Sequence, residues 1–383
     1  MDKIIILHFK EFSKDPRLMK QLATMQKYKI FTIVITLFCD YYIKPSPHHE
    51  MNILYKNREM DKLGGRKKFN FLYFYIWSIN WFIKNRGSIR GVICNDLPTL
   101  PIGVIFKIIN WRTKIIYDSH ELFPDLTKEY FGYLGQLPSL FLEKLCMTFK
   151  PYTITVSTNL LKVITKRYKP HEISIIPNFP SKDIINNTNF KNLVIDKQSL
   201  QYDITFIYPG TMAIGRGYEE IIDAFIYLNK QNMKNTFSLI FIGEGPLQEK
   251  LKSIVNSSGV TNIYFNKYIS QNELYAVYPA IDYGICILPR TVGLNNFFGL
   301  PNKILEYITF KMNIISTNLP SAREFIKNQN LWIIEEFKLE FLIKLFETII
   351  LNHKPIIKEE IQINTSEMLF WENYEINYLK GLS

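Results

Sequence analysis

Three polar side chains, Asn302, Lys303 and Glu306, crowd the start of a short helical stretch in LNNFFGLPNKILEYITFKMNIIST, Leu294 to Thr317. A helix start offers backbone N–H groups without intrahelical partners and the positive end of the helix dipole, which suits a phosphate. A carboxylate one turn further in suits the paired hydroxyls of a ribose. Pro301 marks the helix start, and an apolar strand, Ile314 to Thr317, follows. The cluster reads as a site for a nucleotide diphosphate. The same spacing also fits an ordinary helix start in an α/β domain.

Other candidates stand where apolar runs end in loops. PGTMAIGRGYEE supplies Gly210, Thr211, Gly215, Arg216 and Gly217. Small residues let a ligand approach the backbone, and Arg216 offers a fixed fork of donors to phosphate oxygens. Two glycines are common in such loops, so Arg216 carries most of the signal. In IGEGPLQEKL, Gly243 and Gly245 make a tight turn and Pro246 starts a helix, a pattern that structural punctuation alone explains. KIIYDSHELFPD, Lys114 to Asp125, ends its strand at Tyr117 and presents Asp118, Ser119, His120 and Glu121. His120 can donate to a sugar hydroxyl or phosphate, or act as acid or base, because histidine titrates near neutrality. Near the start, Asp15 and Arg17 read either as an N-cap and a first-turn surface residue, or as further groups facing the same cleft.

The elements that hold these residues alternate between strand and helix, the pattern of parallel α/β sheets. The first half predicts strands at Lys3–His8, Ile30–Leu37, Gly91–Cys94, Lys114–Tyr117, Thr153–Val156 and Ile173–Ile176. Helices at Pro16–Tyr28, Phe69–Asn85, Pro98–Asn110, Ser139–Phe149 and Thr158–Arg167 fall between them. The polar stretch Ser181 to Asp203 reads as a linker. A second series has strands at Ile204–Tyr208, Ser238–Ile242, Ile263–Phe265, Gly284–Leu288 and Ile314–Ser316. Its helices are Tyr218–Lys230, Pro246–Ser257, Gln271–Tyr278 and Asn302–Phe310. Two doubly wound domains with ligands in a cleft between them are expected.

Bulk properties agree. A chain of 383 residues, 47% hydrophobic and 21% charged, suits about two globular domains. The net charge of +11 favours acidic partners: nucleic acid, anionic lipid or phosphorylated small molecules. No reader motif for nucleic acid accompanies it. Cys39, Cys94, Cys146 and Cys286 lack metal-ligand spacing and read as buried thiols in a reducing compartment. The N-terminus MDKIIILHFK reads as a first strand, not a signal peptide. The basic cluster Gly64 to Lys68 precedes FNFLYFYIWSINWFI, Phe69 to Ile83, which is too short and too polar to span a bilayer. It reads as a core helix or as a basic, aromatic face on an anionic membrane.

In order, DPRLMKQLATM, YDSHELFPD, SIIPNFP, YPGTMAIGRGYEEIIDAF, FIGEGPLQEKL, LPNKILEYITFKMNIIST and FWENYE resemble bacterial glycosyltransferases of family 4 along nearly the whole chain. The resemblance implies the GT-B fold: an acceptor-side Rossmann-like domain over 1–180, a nucleotide-sugar domain over 203–365, and a C-terminal helix, 366–383 with Trp371, crossing back. It implies that Glu306 holds the donor ribose and that Asn302, Lys303 and Arg216 face the diphosphate. Gly210, Thr211 and Gly243 line the donor loops, Tyr268 and Ile269 border the base, and His120 lies near the transferred sugar. His120, Arg216 and Lys303 are thereby the catalytic candidates, and Asp15, Arg17, Asp118 and Glu121 the acceptor-side ones. The family's first glutamate falls at Phe298, where no carboxylate stands, so either Asn295 or Asn296 contacts the sugar or the loop is shifted. The implied reaction is retaining transfer of a hexosyl or related sugar from a UDP- or GDP-linked donor, with no essential metal and no cofactor. The implied acceptor is a saccharide or lipid-linked saccharide for capsule, O-antigen or another surface polysaccharide, met in the cytoplasm or at the inner membrane face. A nucleotide-sugar epimerase of the same fold and a non-catalytic partner subunit are the alternatives.

Overall fold

The computed structural model describes residues 3–9, 15–36, 51–55, 67–189, 193–231, 233, 236–288, 297–326, 331–335, 338–353 and 369–382. Two compact units emerge, Met1–Asn178 with Trp371–Ser383, and Phe179–Phe370.

The first unit runs β1 (Lys3–His8), α1 (Pro16–Lys27), β2 (Thr32–Thr36), β3 (Met51–Tyr55), α2 (Lys67–Asn85), β4 (Ile89–Asn95) and α3 (Leu100–Ile109). It continues with β5 (Lys114–Asp118), α4 (Phe123–Met147), β6 (Tyr152–Thr155), α5 (Thr158–Tyr168) and β7 (Glu172–Ile175). The strands form one parallel sheet in the order β3-β2-β1-β4-β5-β6-β7. Parallel strands covered on both faces are apolar at successive positions rather than alternate ones. In β1, Ile4 and Ile6 join one core with Leu18, Leu22 and Trp371, while Ile5 and Leu7 join another with Phe74, Leu100 and Phe106.

The second unit runs α6 (Lys182–Asn186), β8 (Ile204–Pro209), α7 (Tyr218–Asn229), β9 (Phe237–Ile242), α8 (Gln248–Ser258), β10 (Ile263–Asn266) and α9 (Gln271–Val277). It continues with β11 (Tyr283–Cys286), α10 (Asn302–Thr309), β12 (Asn313–Thr317), α11 (Pro320–Arg323), β13 (Leu331–Ile334) and α12 (Leu339–Leu351). Its parallel sheet has the order β10-β9-β8-β11-β12-β13. After a short turn at Trp371–Asn373, α13 (Glu375–Lys380) closes the first unit. There the Trp371 indole donates to Thr24 Oγ1 at 2.8 Å, and its ring lies 5.4 Å from the Arg17 guanidinium.

Several elements depart from the sequence expectation. The polar stretch after Ser181 carries α6 and a 3-10 turn at Lys197–Leu200, both part of the second unit. Helix α4 begins at Phe123, well before the expected Ser139, and is kinked at Gly132, which has φ +63° inside the helical stretch. Strands β3 and β13, runs of five and four residues, and helix α12, between the last two recognised motifs, were not expected. Helix α2 is a core helix, with Phe74 and Phe82 fully buried. Among the described residues no helix is long and apolar enough to cross a membrane. Cys94, Cys146 and Cys286 are buried free thiols, and Cys39 lies outside the described residues.

Each sheet reverses its strand order at one place, between β1 and β4 and between β8 and β11. In open α/β sheets ligands bind beyond the carboxyl ends of the strands at such points.

Candidate functional site

The second unit gathers most of the expected donor residues at its switch point. Strand β8 ends at Pro209, and Gly210 follows with φ +132°, its N–H donating to the Ile242 carbonyl at 2.8 Å. Gly243 repeats the move one strand over, with φ +131° and a 3.1 Å bond to the Asn266 carbonyl. A Cβ on Gly243 would sit 2.4 Å from the Gly210 carbonyl oxygen, closer than real contacts allow. The two turns therefore touch backbone to backbone, which fixes the loop after β8. Gly243→Ala should cost about 1–3 kcal/mol from the disallowed φ alone, read as a lower urea midpoint with unchanged slope. An unmoved midpoint would mean the turn is not held this way.

At the bared Gly210 two cations converge. Lys303 Nζ donates to the Pro209 carbonyl at 2.8 Å and lies 4.8 Å from the Tyr208 ring centre. A Cβ on Gly210 would lie 3.2 Å from that ammonium and 3.9 Å from Arg216 Nη1. Among the described residues neither cation has a carboxylate salt-bridge partner. Burial, and then the Arg216 charge, hold the Lys303 pKa below its ordinary value, against the opposing pull of Cys286 and Glu306. Helix α10 starts beside them with Pro301 at its cap and no side chain capping it, so its first-turn N–H groups add to the same positive region. Asn302 is exposed at that end. An arrangement of two cations and a helix start around bare backbone binds an anion of phosphate type.

Glu306, one turn along α10, is buried. Its Oε2 accepts from the Tyr278 hydroxyl at 2.7 Å, and its Oε1 from Gln271 Nε2 at 3.3 Å and Tyr275 at 3.5 Å. Burial, with the Glu306 charge added, pushes the Tyr275 and Tyr278 pKa values far up, so both hydroxyls stay protonated donors. Helix α9, which carries Gln271 and Tyr275, is fixed by a Ser270–Glu273 capping box. The carboxylate is thus set in one orientation with capacity to accept further hydroxyls. Thr211 and Tyr268 are exposed and Ile269 half-buried in loops after β8 and β10. At Phe298 the backbone carbonyl accepts from Ser321 Oγ at 2.6 Å, while Asn295 and Asn296 lie outside the described residues.

The remaining expected residues sit in the first unit. Asp15 caps α1, its Oδ1 accepting from the N–H groups of Arg17 and Leu18 at 2.9 and 3.2 Å. Arg17 and Asp118 form a buried two-pronged pair, both bonds 2.7 Å, with Arg17 also donating to the Ile176 carbonyl. Burial disfavours the Arg17 charge, but the attraction of Asp118 and its hydrogen bonds outweigh it, and the pKa stands above its usual value. Gln21 Nε2 adds a third bond to Asp118 at 2.7 Å. These two side chains are engaged with each other inside the unit. His120 stands next in the chain with Glu121 half-buried beside it. His120 Nε2 lies 3.4 Å from Asp96 Oδ2, and its buried Nδ1 has no hydrogen-bond partner among the described residues. Sequence reading missed Asp96, which follows β4 with φ +64°, at the first unit's own switch point. The turn signal of Asn95, Asp96 and Pro98 marked the place but not its partner. Tyr278 and Gln271 were missed too, with no local signal for either.

Residues 191–364 match the family model described as glycosyl transferases group 1. A chitobiosyldiphosphodolichol beta-mannosyltransferase of Candida albicans is 26% identical over 277 residues, covering 66% of this chain. The chain spans 58% of that protein's length. Sucrose-phosphate synthase from Thermosynechococcus elongatus has a similar structure, with a TM-score of 0.70 at 12% identity, covering 99% of this chain and 98% of its own. Anabaena HepE in complex with UDP and glucose aligns with a TM-score of 0.69 at 14% identity, over 100% of this chain and 99% of its own. The chain therefore has the GT-B fold, and its residues 191–364, which hold Gly210, Arg216, Lys303 and Glu306, match the glycosyl transferases group 1 family.

Proposed function

We propose that this chain is a glycosyltransferase that moves a sugar from a UDP- or GDP-linked donor to an acceptor hydroxyl. The observation that carries the reading is the meeting of Lys303, Arg216 and the start of α10 at the bare backbone of Gly210, one helical turn from the held carboxylate of Glu306. A nucleoside diphosphate sugar needs its diphosphate charge stabilised as the glycosidic bond breaks. Fixed cations and N–H groups aimed at the leaving group supply that without reorganising at the moment of reaction. Lys303 and Arg216 take the part a metal plays elsewhere, so a chelator should leave turnover intact. Glu306 takes the ribose hydroxyls, and Tyr268 and Ile269 the base. In the first unit His120, with Asp96 beside its Nε2, serves the transferred sugar or the acceptor. Retention of the anomeric configuration and a lipid-linked saccharide acceptor for surface polysaccharide, met at the inner membrane face, complete the reading. The Candida albicans relative, whose name carries a dolichol-linked diphosphate substrate, supports that class of acceptor.

Incubation with donors and a saccharide acceptor tests it. Release of nucleoside diphosphate with sugar joined to acceptor supports transfer. An epimerised free sugar would identify an epimerase, and binding without turnover a non-catalytic subunit. Lys303→Met should weaken nucleoside diphosphate binding about tenfold or more, the worth of one charge-assisted hydrogen bond. Because the Lys303 pKa is lowered, its charge disappears from the alkaline side sooner than that of an exposed lysine. Wild-type affinity should accordingly fall as pH rises through that lowered value, and the Met variant should show a flatter profile by calorimetry. Identical profiles would remove Lys303 from the site.

A further inference from the structure

Helix α4 keeps polar groups inside, beside Cys146 and Met147, which join the core. Glu143 accepts from the Tyr117 and Tyr168 hydroxyls, each at 2.5 Å, and Asp125 pairs with Arg167. Gln136 is buried there too. Its outer side carries Leu134, Leu137, Phe141 and Leu145 at helical spacing, with Leu134 89% and Phe141 71% exposed. Phe131 and Tyr133, around the Gly132 kink, extend the apolar surface. A surface helix of a globular protein normally shows the reverse, and a contiguous exposed apolar patch marks an interaction site. Helix α3 packs beside it and α2 beside α3, with Ile76 of α2 and Trp111, just after α3, exposed.

Charge selects the partner. Residues 67–150 contain eleven Lys and Arg against six Asp and Glu. Four of those acids, Asp96, Asp118, Asp125 and Glu143, are buried, whereas Lys128 and Lys144 on α4 and Lys150 just after it are exposed. A second copy of the chain docked by this face would bring like charges together. An anionic bilayer instead neutralises the lysines while its acyl region takes Leu134 and Phe141. The geometry points to the outer side of α4 as a docking surface for an anionic lipid bilayer. This surface would bring the enzyme to a lipid-linked acceptor and rests on that reading for its purpose. Vesicle binding is measured without donor or acceptor, so the two fail separately.

Flotation with vesicles of phosphatidylcholine alone, and with phosphatidylglycerol at about one third, tests the surface on the full chain. The wild type should bind the anionic vesicles at least tenfold more than the neutral ones, and less at high salt. Leu134→Glu with Phe141→Glu, both on exposed positions, should lose that binding at least tenfold while nucleoside diphosphate affinity and the denaturation midpoint stay the same. Absence of wild-type binding, or binding that the double variant retains, overturns the proposal. So does light scattering that shows a wild-type dimer, with no vesicle binding, which the double variant dissociates.

Discussion

Asp118→Ala should destabilise the protein by about 3–5 kcal/mol, the cost of leaving a buried charge without its partner. Arg17 would keep its guanidinium in the interior with only the Ile176 carbonyl to accept from it, and Gln21 would lose an acceptor as well. A second comparison separates charge from shape. Replacing both members, Arg17→Met with Asp118→Leu, should recover most of the loss, because apolar groups of similar size remove the desolvation cost together with the attraction. Urea denaturation of the two single variants and the double variant gives the coupling directly. The same residue is expected on the acceptor side by the family resemblance, so activity discriminates. A folded Asp118→Ala protein of nearly wild-type stability that no longer uses its acceptor would make Asp118 a substrate contact and sink the structural account.

That pair also shows what a sequence can and cannot disclose. The strands were legible because parallel strands covered on both faces are simply apolar, as in Ile204–Tyr208 and Ile314–Ser316. The cluster of Asn302, Lys303 and Glu306 was legible because a helix start and one further turn are local relations, fixed by spacing. Arg17 and Asp118 were each noticed, but their sequence separation of 101 hid the fact that they face one another. Gln271 on α9 and Tyr278 in the turn after it, 35 and 28 residues from Glu306, reach it only through tertiary folding. The polarity of α4 was hidden for a related reason. Periodicity shows that a helix has an apolar stripe, whereas tertiary packing decides whether the stripe faces in or out. Glycines told a similar story: Gly243 read as structural punctuation and proved to be where one backbone turn touches another, closer than a Cβ allows.

Glu306→Gln should raise the dissociation constant for the nucleoside diphosphate about a hundredfold. Two ribose hydroxyls donating to an ionised carboxylate are each worth about 1.5 kcal/mol, and the pair about 3 kcal/mol. Glutamine keeps the volume and one acceptor oxygen, so Tyr278 retains a partner. Alanine would instead leave that buried hydroxyl unsatisfied at about 1–3 kcal/mol, and a lost fold could then pass for a lost ligand. The glutamine variant should therefore unfold within about 1 kcal/mol of the wild type, since one neutral hydrogen bond replaces a charged one. A ribose contact carries one further consequence that a purely structural carboxylate does not. The wild type should bind the 2′-deoxy nucleotide more weakly than the ribonucleotide, by roughly the worth of one of those two bonds. In Glu306→Gln that preference should shrink towards none, because the group that read the hydroxyl has changed. A preference of the same size in both proteins would take the ribose away from Glu306 and leave it a carboxylate that holds α9 to α10.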